Sequence, residues 1–397
     1  MLSTLQTSVL FGSLLMGSLL LGSLAVAETV GDSGDSTAPA VQGAATPAVE
    51  YTVLVAAESS DEVYRVRFDG KQAKVTNVVP VGAWPTEIEG PHGLAVEPGG
   101  KHWYLSLAHG NPYGSLLKFS TETDELVGSV KLGLFPATMQ FSVATDLLYC
   151  VNFDLHGDMT PSSVSVVDTD DMVEVARTTT GSMPHGSRVS PDGLRHYSCA
   201  MMSGRLYEMD ATTFKILREM DVVAAAAALP RINSAGEEMP MQTGVEMKDA
   251  HGKAPKPTWV EPHPLLPVAY VALNGANEIL EIDLDSWVVT RRFKTEKGPY
   301  NLAITPDGTK LAVTYKSAQS VGFWDLRTGA ELGRAETTRA VSHGVVISPD
   351  GEYAFVTSEG RGGESGALDV FYLESYTKIA SAEVGLQAGG VAFLSME

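Results

Sequence analysis

Three short triplets hold the residues best suited to chemistry: Pro91-His92-Gly93, Pro184-His185-Gly186 and Ser342-His343-Gly344. Two further histidines also precede a glycine, in Ala108-His109-Gly110 and Leu155-His156-Gly157. Imidazole titrates near neutral pH and ligates copper and zinc, so several brought together make a transition-metal centre or an acid–base site. These histidines are far apart in the chain. A shared site therefore needs a fold that returns repeatedly to one place.

That return is written in the turns. Ser190-Pro191-Asp192-Gly193 is followed by Thr305-Pro306-Asp307-Gly308 and Ser348-Pro349-Asp350-Gly351, and preceded by a weaker version, Glu97-Pro98-Gly99-Gly100. Proline sets φ for the first central position, aspartate caps its own backbone, and glycine takes the φ > 0 position that reverses the chain. Between recurrences lie roughly 40 to 50 residues, the period of one propeller blade. After His92 four strands are predicted: Leu94 to Val96, Trp103 to Leu107, Ser115 to Ser120 and Leu126 to Lys131. The next periods open near Thr138, His185, Trp259, Asn301 and His343. Tyr51 to Val81 supplies three strands without an innermost one, and Gly390 to Ser395 supplies the missing strand. The prediction is all-β: a seven-bladed β-propeller of four-stranded antiparallel blades over residues 51–397. N- and C-terminal strands share one blade, which leaves no open sheet edge around the ring.

Tyr149-Cys150-Val151-Asn152, Tyr270-Val271-Ala272-Leu273-Asn274 and the Pro-Asp-Gly turns resemble the signature of the YVTN-repeat β-propellers. That family is similar in plan to the cytochrome-d1-type and nitrous-oxide-reductase propeller domains. The resemblance implies the fold. It carries no activity with it, because propellers host enzymes, ligand-binding domains and scaffolds alike.

In a four-stranded blade, residues just before the innermost strand and just after the second strand gather on one face, around the central channel. The Pro-Asp-Gly turns lie on the other face. His92, His185 and His343 belong to the first set, and His109 and His156 to the second, so five histidines are expected at one channel mouth. His102, His196 and His263 sort to the opposite face. Imidazoles from several rigid elements, with carboxylates fixing their tautomers, make a transition-metal site: copper first, zinc second. Met183, Asp158 and Glu359 are candidate extra ligands or supports, with Met139, Met201, Met202, Asp154 and Glu58 on the same face. Taken singly, each histidine could equally be a hydrogen-bonded structural residue, each methionine packing material and each carboxylate a solvated loop charge.

For the whole protein the sequence reading is a metal-binding propeller, with copper-dependent oxidoreductase chemistry as one activity and metal-assisted lyase or hydrolase chemistry as another. A non-enzymatic propeller binding a protein or small ligand at the same mouth is the competing class. No nucleophile elbow, phosphate-binding glycine loop, HExxH or CxxC stands in suitable context.

The ends and the composition set the surroundings. Residues 1–27 contain an apolar run and the small-residue stretch Ala25-Val26-Ala27, predicting a cleaved signal peptide and a periplasmic or secreted protein. Residues 28–50 read as a disordered linker. The net charge of −20 argues against nucleic acid and anionic lipid as partners, and no later segment is apolar enough to hold the cleaved protein in a membrane. Cys150 and Cys199, on opposite pleat faces of neighbouring blades, are expected as buried free thiols. Residues 222–256 form an insertion, with Met239, Met241, Met247 and His251, expected as a lid beside the mouth.

Overall fold

The computed structural model of the protein describes residues 49–84, 86–109, 113–227, 229–240 and 255–397. The predicted signal peptide and nearly all of the linker lie outside these. The described chain forms seven four-stranded antiparallel sheets, six of them with their strands in consecutive order and one joining the last strand to the first three. Blade 1 is Pro91–Val96, His102–Leu107, Ser115–Ser120 and Leu126–Lys131. The innermost strands of blades 2 to 6 are Pro136–Phe141, Pro184–Val189, Pro257–Pro262, Pro299–Ile304 and Val341–Ile347. Each touches the next around the axis. Blade 7 closes the ring: Ala388–Met396 pairs antiparallel with Tyr51–Ala57, bringing Tyr51 opposite Met396 and Val55 opposite Val391.

Burial follows strand position. Second strands are packed on both faces and read as near-continuous apolar runs, as in Lys310–Tyr315, where every residue after the lysine is buried. Outer strands keep one face in water, so Glu331–Glu336 alternates half-buried and exposed. The core is a set of seams between blades: Leu54, Trp103, Leu105 and Ala392 join blades 7 and 1, and Cys199, Leu206, Val260 and Val271 join blades 3 and 4. Both cysteines are free and buried there, and burial pushes the Cys150 thiol up to about 12.

The three Pro-Asp-Gly turns repeat one device. Asp192 Oδ1 accepts from the Ser190 hydroxyl at 2.5 Å and the Leu194 amide at 3.0 Å, while Gly193 sits at φ +74°. Asp307 and Asp350 make the corresponding bonds in blades 5 and 6.

The lid expected of residues 222–256 falls largely on residues 241–254, outside the described residues. After a short helix, Val222–Ala227, the chain runs along the outer edge of blades 4 and 5 rather than across the axis. The Ile232 amide donates to Arg292 O at 2.7 Å, the Glu331 amide donates to Ser234 O at 2.9 Å, and Arg231 pairs with Glu278 at 2.6 Å. Ile232 packs with Phe293, Trp324 and their neighbours, so an apolar side chain and free outer-strand backbone draw the segment outward. Met241, Met247 and His251 lie outside the described residues. Among the described residues no helix is long and apolar enough to cross a membrane.

Candidate functional site

Strand register defines the site. Pro91, Pro136, Pro184, Pro257, Pro299, Ser342 and Ala388 hold one position in the seven innermost strands, each opposite the last paired residue of its second strand except Ser342, which faces Ser358, one short of Glu359. Proline suits a first strand residue because it has no amide to donate. The next position gives a ring of His92, Ala137, His185, Thr258, Tyr300, His343 and Gly389. The period expected to open near Thr138 thus presents Ala137-Thr138 where blade 1 has His92-Gly93. Small residues flank His92 on both sides, leaving room for its ring.

Glycine follows four of these residues, His92, His185, His343 and Gly389, for a steric reason. A Cβ on Gly93 would stand 2.0 Å from Ala137 O of the next blade, and one on Gly186 would stand 2.3 Å from Thr258 O. At these glycines the neighbouring innermost strand approaches too closely for any side chain, whereas blades 2, 4 and 5 carry Thr138, Trp259 and Asn301 at the same position. Hydroxyls then fasten the junctions. Thr357 Oγ1 accepts from the Gly344 amide at 2.8 Å and donates to Gly389 O of the next blade at 2.6 Å. Ser106 links Gly93 to Ala137, and Thr314 links Asn301 to His343, in the same way. The imidazoles thus stand on peptides whose donors and acceptors are fixed.

The inner tier is His92, His185, His343 and Tyr300, all buried. The ring centre of His92 lies 5.9 Å from that of His185 and 6.1 Å from that of His343. His185 Nδ1 donates to Thr258 O at 3.2 Å, so its Nε2 is the free lone pair and accepts from the Tyr300 hydroxyl at 2.8 Å. Burial, helped by His92 and Lys316, lowers the pKa of His185 to about 3; burial and the Lys316 ammonium likewise hold His343 far below its ordinary value. His343 Nδ1 is buried beside the Gly389 backbone without a well-formed hydrogen bond, and its Nε2 stands 3.6 Å from Glu359 Oε1. His92 Nδ1 bonds Glu58 Oε2 at 2.8 Å, and its Nε2 has no partner among the described residues.

Residues following the second strands form a second ring around the first. Blades 5, 6 and 7 present Lys316, Glu359 and Glu58 in succession; blades 2 and 3 present Phe153 and Met201. One half of the mouth is therefore charged and the other apolar. Lys316 Nζ lies 3.2 Å from Glu359 and 4.4 Å from the centre of the Tyr300 ring. Burial raises the Tyr300 pKa, and the Lys316 ammonium works in the opposite direction. Glu58 bridges the tiers, holding His92 with one oxygen and His109 Nε2 at 3.2 Å with the other. Burial alone would raise its pKa; hydrogen bonds from His109 and His92 more than offset that and hold it well below the usual carboxylate range.

The remaining histidine candidates form an outer tier. His109 and His156 stack with ring centres 5.5 Å apart, and Phe135 lies edge-on to His92, His109 and His156. All five histidines expected at this mouth are found there, in two layers. Asp158 is exposed in the same loop, and Met183 is buried in the apolar cluster of Phe135 and Phe153. His102, His196 and His263 lie toward the turn end: His102 bonds Glu97, His263 bonds Gly308 O, and His196 stacks on Tyr149 with both nitrogens unpartnered. Lys316 and Phe135 escaped sequence reading, and Tyr300 was not among the candidate site residues. The signal for Tyr300 was its proline, since Pro299-Tyr300 repeats Pro91-His92 with a different ring.

Among the described residues no group of three or more His, Cys, Asp or Glu stands ready-made around one ion position. Below the imidazoles the axial channel opens into a cavity of about 450 Å³ that reaches Glu97 and Pro98 at the turn end.

Fold and site together define a seven-bladed β-propeller with a histidine-lined axial mouth. No family model and no curated protein matches the sequence. Among solved structures, the chain is similar to one described as a functionally unknown protein from Desulfotomaculum acetoxidans, at 12% identity and a TM-score of 0.62, over 86% of this chain and 98% of that one. At that identity the likeness concerns the fold alone.

Proposed function

We propose that the mouth binds a transition-metal ion, copper first and zinc second, through Nε2 of His92, His185 and His343. The supporting observation is that His92 and His185 use Nδ1 to hold Glu58 and Thr258 O, which leaves Nε2 for an incoming ligand. Two imidazoles sharing one ion at about 2.0 to 2.1 Å per bond have ring centres roughly 5 to 6 Å apart, near the spacings found here. Binding then requires side-chain rotation, with His185 exchanging the Tyr300 hydroxyl for the ion. Two carboxylates, Glu58 and Glu359, face one ammonium, Lys316, so added positive charge is favoured. Met183, packed among phenylalanines, is left out of the ligand set; Glu359 supplies negative charge 3.6 Å from His343 Nε2, and His109 and His156 form the approach. The setting is an exported protein, and the activity read from copper is redox chemistry.

A second reading draws on the 2.8 Å bond between Tyr300 and His185, beside the Lys316 ammonium. Such a pair moves a proton, so a lyase or hydrolase working at the same mouth is the alternative enzyme. Metal content after purification without chelators separates the two. The metal reading expects one copper or zinc per chain, lost when His92, His185 and His343 are all changed to alanine in a protein that still folds. Protein that stays metal-free and fails to take up added copper contradicts it.

A further inference from the structure

The channel beneath the imidazoles has a wall whose polar groups are almost all already committed. Arg188, stacked 4.4 Å over the Trp259 ring, is neutralised by Glu261 at 3.0 Å. Glu97 spends its oxygens on His102 at 2.8 Å and Tyr104 at 2.9 Å, and Gln140 accepts from the Val189 amide at 2.8 Å. What remains along the shaft is apolar, with Leu94, Met139, Val346 and Val391 among the lining residues. One exception stands near the imidazole end. Asn301 is 6% exposed, lines the channel, and its side-chain oxygen is buried with no partner. An unpaired buried amide oxygen is unfavourable unless something supplies a donor.

From this pattern we infer that the channel is the binding site of an uncharged, elongated apolar molecule with one hydroxyl or amide head, which lies against Asn301 and the imidazoles. An apolar tail fills the shaft toward the turn end. The length fits, since the three residues from His185 to Arg188 span roughly 10 Å of strand. The volume is also in the range of small-molecule sites, which run from about 300 to 1,000 Å³. Neutrality follows from the pairing of the charged groups that line the channel: Glu58, Lys316 and Glu359 of the outer ring are not among the lining residues, so a carboxylate or ammonium head beside Asn301 would enter with no counter-ion. The site stands on the channel alone, independently of any ion at the imidazoles.

Three probes with one tail test it: 1-octanol, octanoate and octylammonium, titrated calorimetrically into the chelator-dialysed full chain. The expected result is one saturable site for octanol, at least about tenfold tighter than for either charged probe, because an unpaired charge resists burial. Asn301→Asp is expected to reverse the order in favour of octylammonium, and Val346→Trp, which fills the shaft, to weaken octanol at least tenfold. If Val346→Trp does not fold, the head-group order and its reversal still decide. Equal affinity for all three heads, no saturable octanol binding, or octanol binding untouched in folded Val346→Trp overturns the inference. The last outcome would place the alcohol on the exposed Leu265 and Leu266 instead.

Discussion

The two ends of the axial channel are made from the same seven innermost strands, yet they are held by different physics. At the turn end, geometry is local: in blades 3, 5 and 6 a proline, an aspartate and a positive-φ glycine close the hairpin within a few residues. At the histidine mouth, geometry is collective. Each imidazole stands on a peptide fixed by the next blade, through a hydroxyl bracket or a backbone contact that admits no side chain. Local devices can be lost one at a time. A collective ring transmits each loss to its neighbours, and its functional groups are correspondingly sensitive to changes outside themselves.

The largest effect should come from glycine. Gly186→Val places atoms where Thr258 O now sits, and the expected loss is about 3 to 5 kcal/mol or failure to fold, read by urea denaturation. Gly351→Ala at the turn end meets nothing closer than Pro306 at 3.5 Å and suffers only from φ +74°, for roughly 1 kcal/mol. Equal losses at the two sites would erase the distinction.

Next comes Thr357→Val. It strands the Gly344 amide and part of the demand of Gly389 O in a buried junction, for about 2 to 3 kcal/mol. Ser190→Ala, in a turn reached by water, should cost about 1 kcal/mol or less.

A third contrast uses pH. His196, toward the turn end, is buried with no hydrogen-bond partner, its ring stacked on Tyr149 and no charged group acting on it, so burial alone lowers its pKa to about 3. The unfolded chain protonates this histidine near pH 6.5 while the folded chain does not. Stability contributed by the neutral form is therefore present above about pH 6.5 and declines as pH falls toward 3. His196→Phe keeps the stacking and should flatten that part of the acid limb. An unchanged slope would mean the histidine is protonated in place.

The smallest effect concerns thiols. Cys150 and Cys199 are buried in blade seams, and burial raises both pKa values, so neither should react with a thiol reagent until the protein unfolds, whereupon two equivalents appear. Prompt labelling of either would show that the seams between neighbouring blades open.

What the sequence made legible follows the same division. Turns are local, so Ser190 to Gly193 and its repeats announced blade count, strand order and the face on which His92, His185 and His343 gather. Contacts between blades are not local. Tyr300 could be placed against His185 only after ring closure, and Lys316 beside Glu359 only after two second strands were set in register. Thr357 and Thr314 read as ordinary strand residues although they fasten the mouth. The course of residues 229–240 was hidden for a related reason: Ile232 and three backbone bonds tie this stretch to blades 4 and 5, and no periodic pattern records that.

X-ray absorption at the copper edge, on protein loaded with one equivalent, tests the central claim most directly. Three imidazole nitrogens at about 2.0 Å are expected, falling to two in each of His92→Ala, His185→Ala and His343→Ala. Copper that does not bind, or a ligand shell unchanged in all three variants, would contradict a metal centre at the mouth.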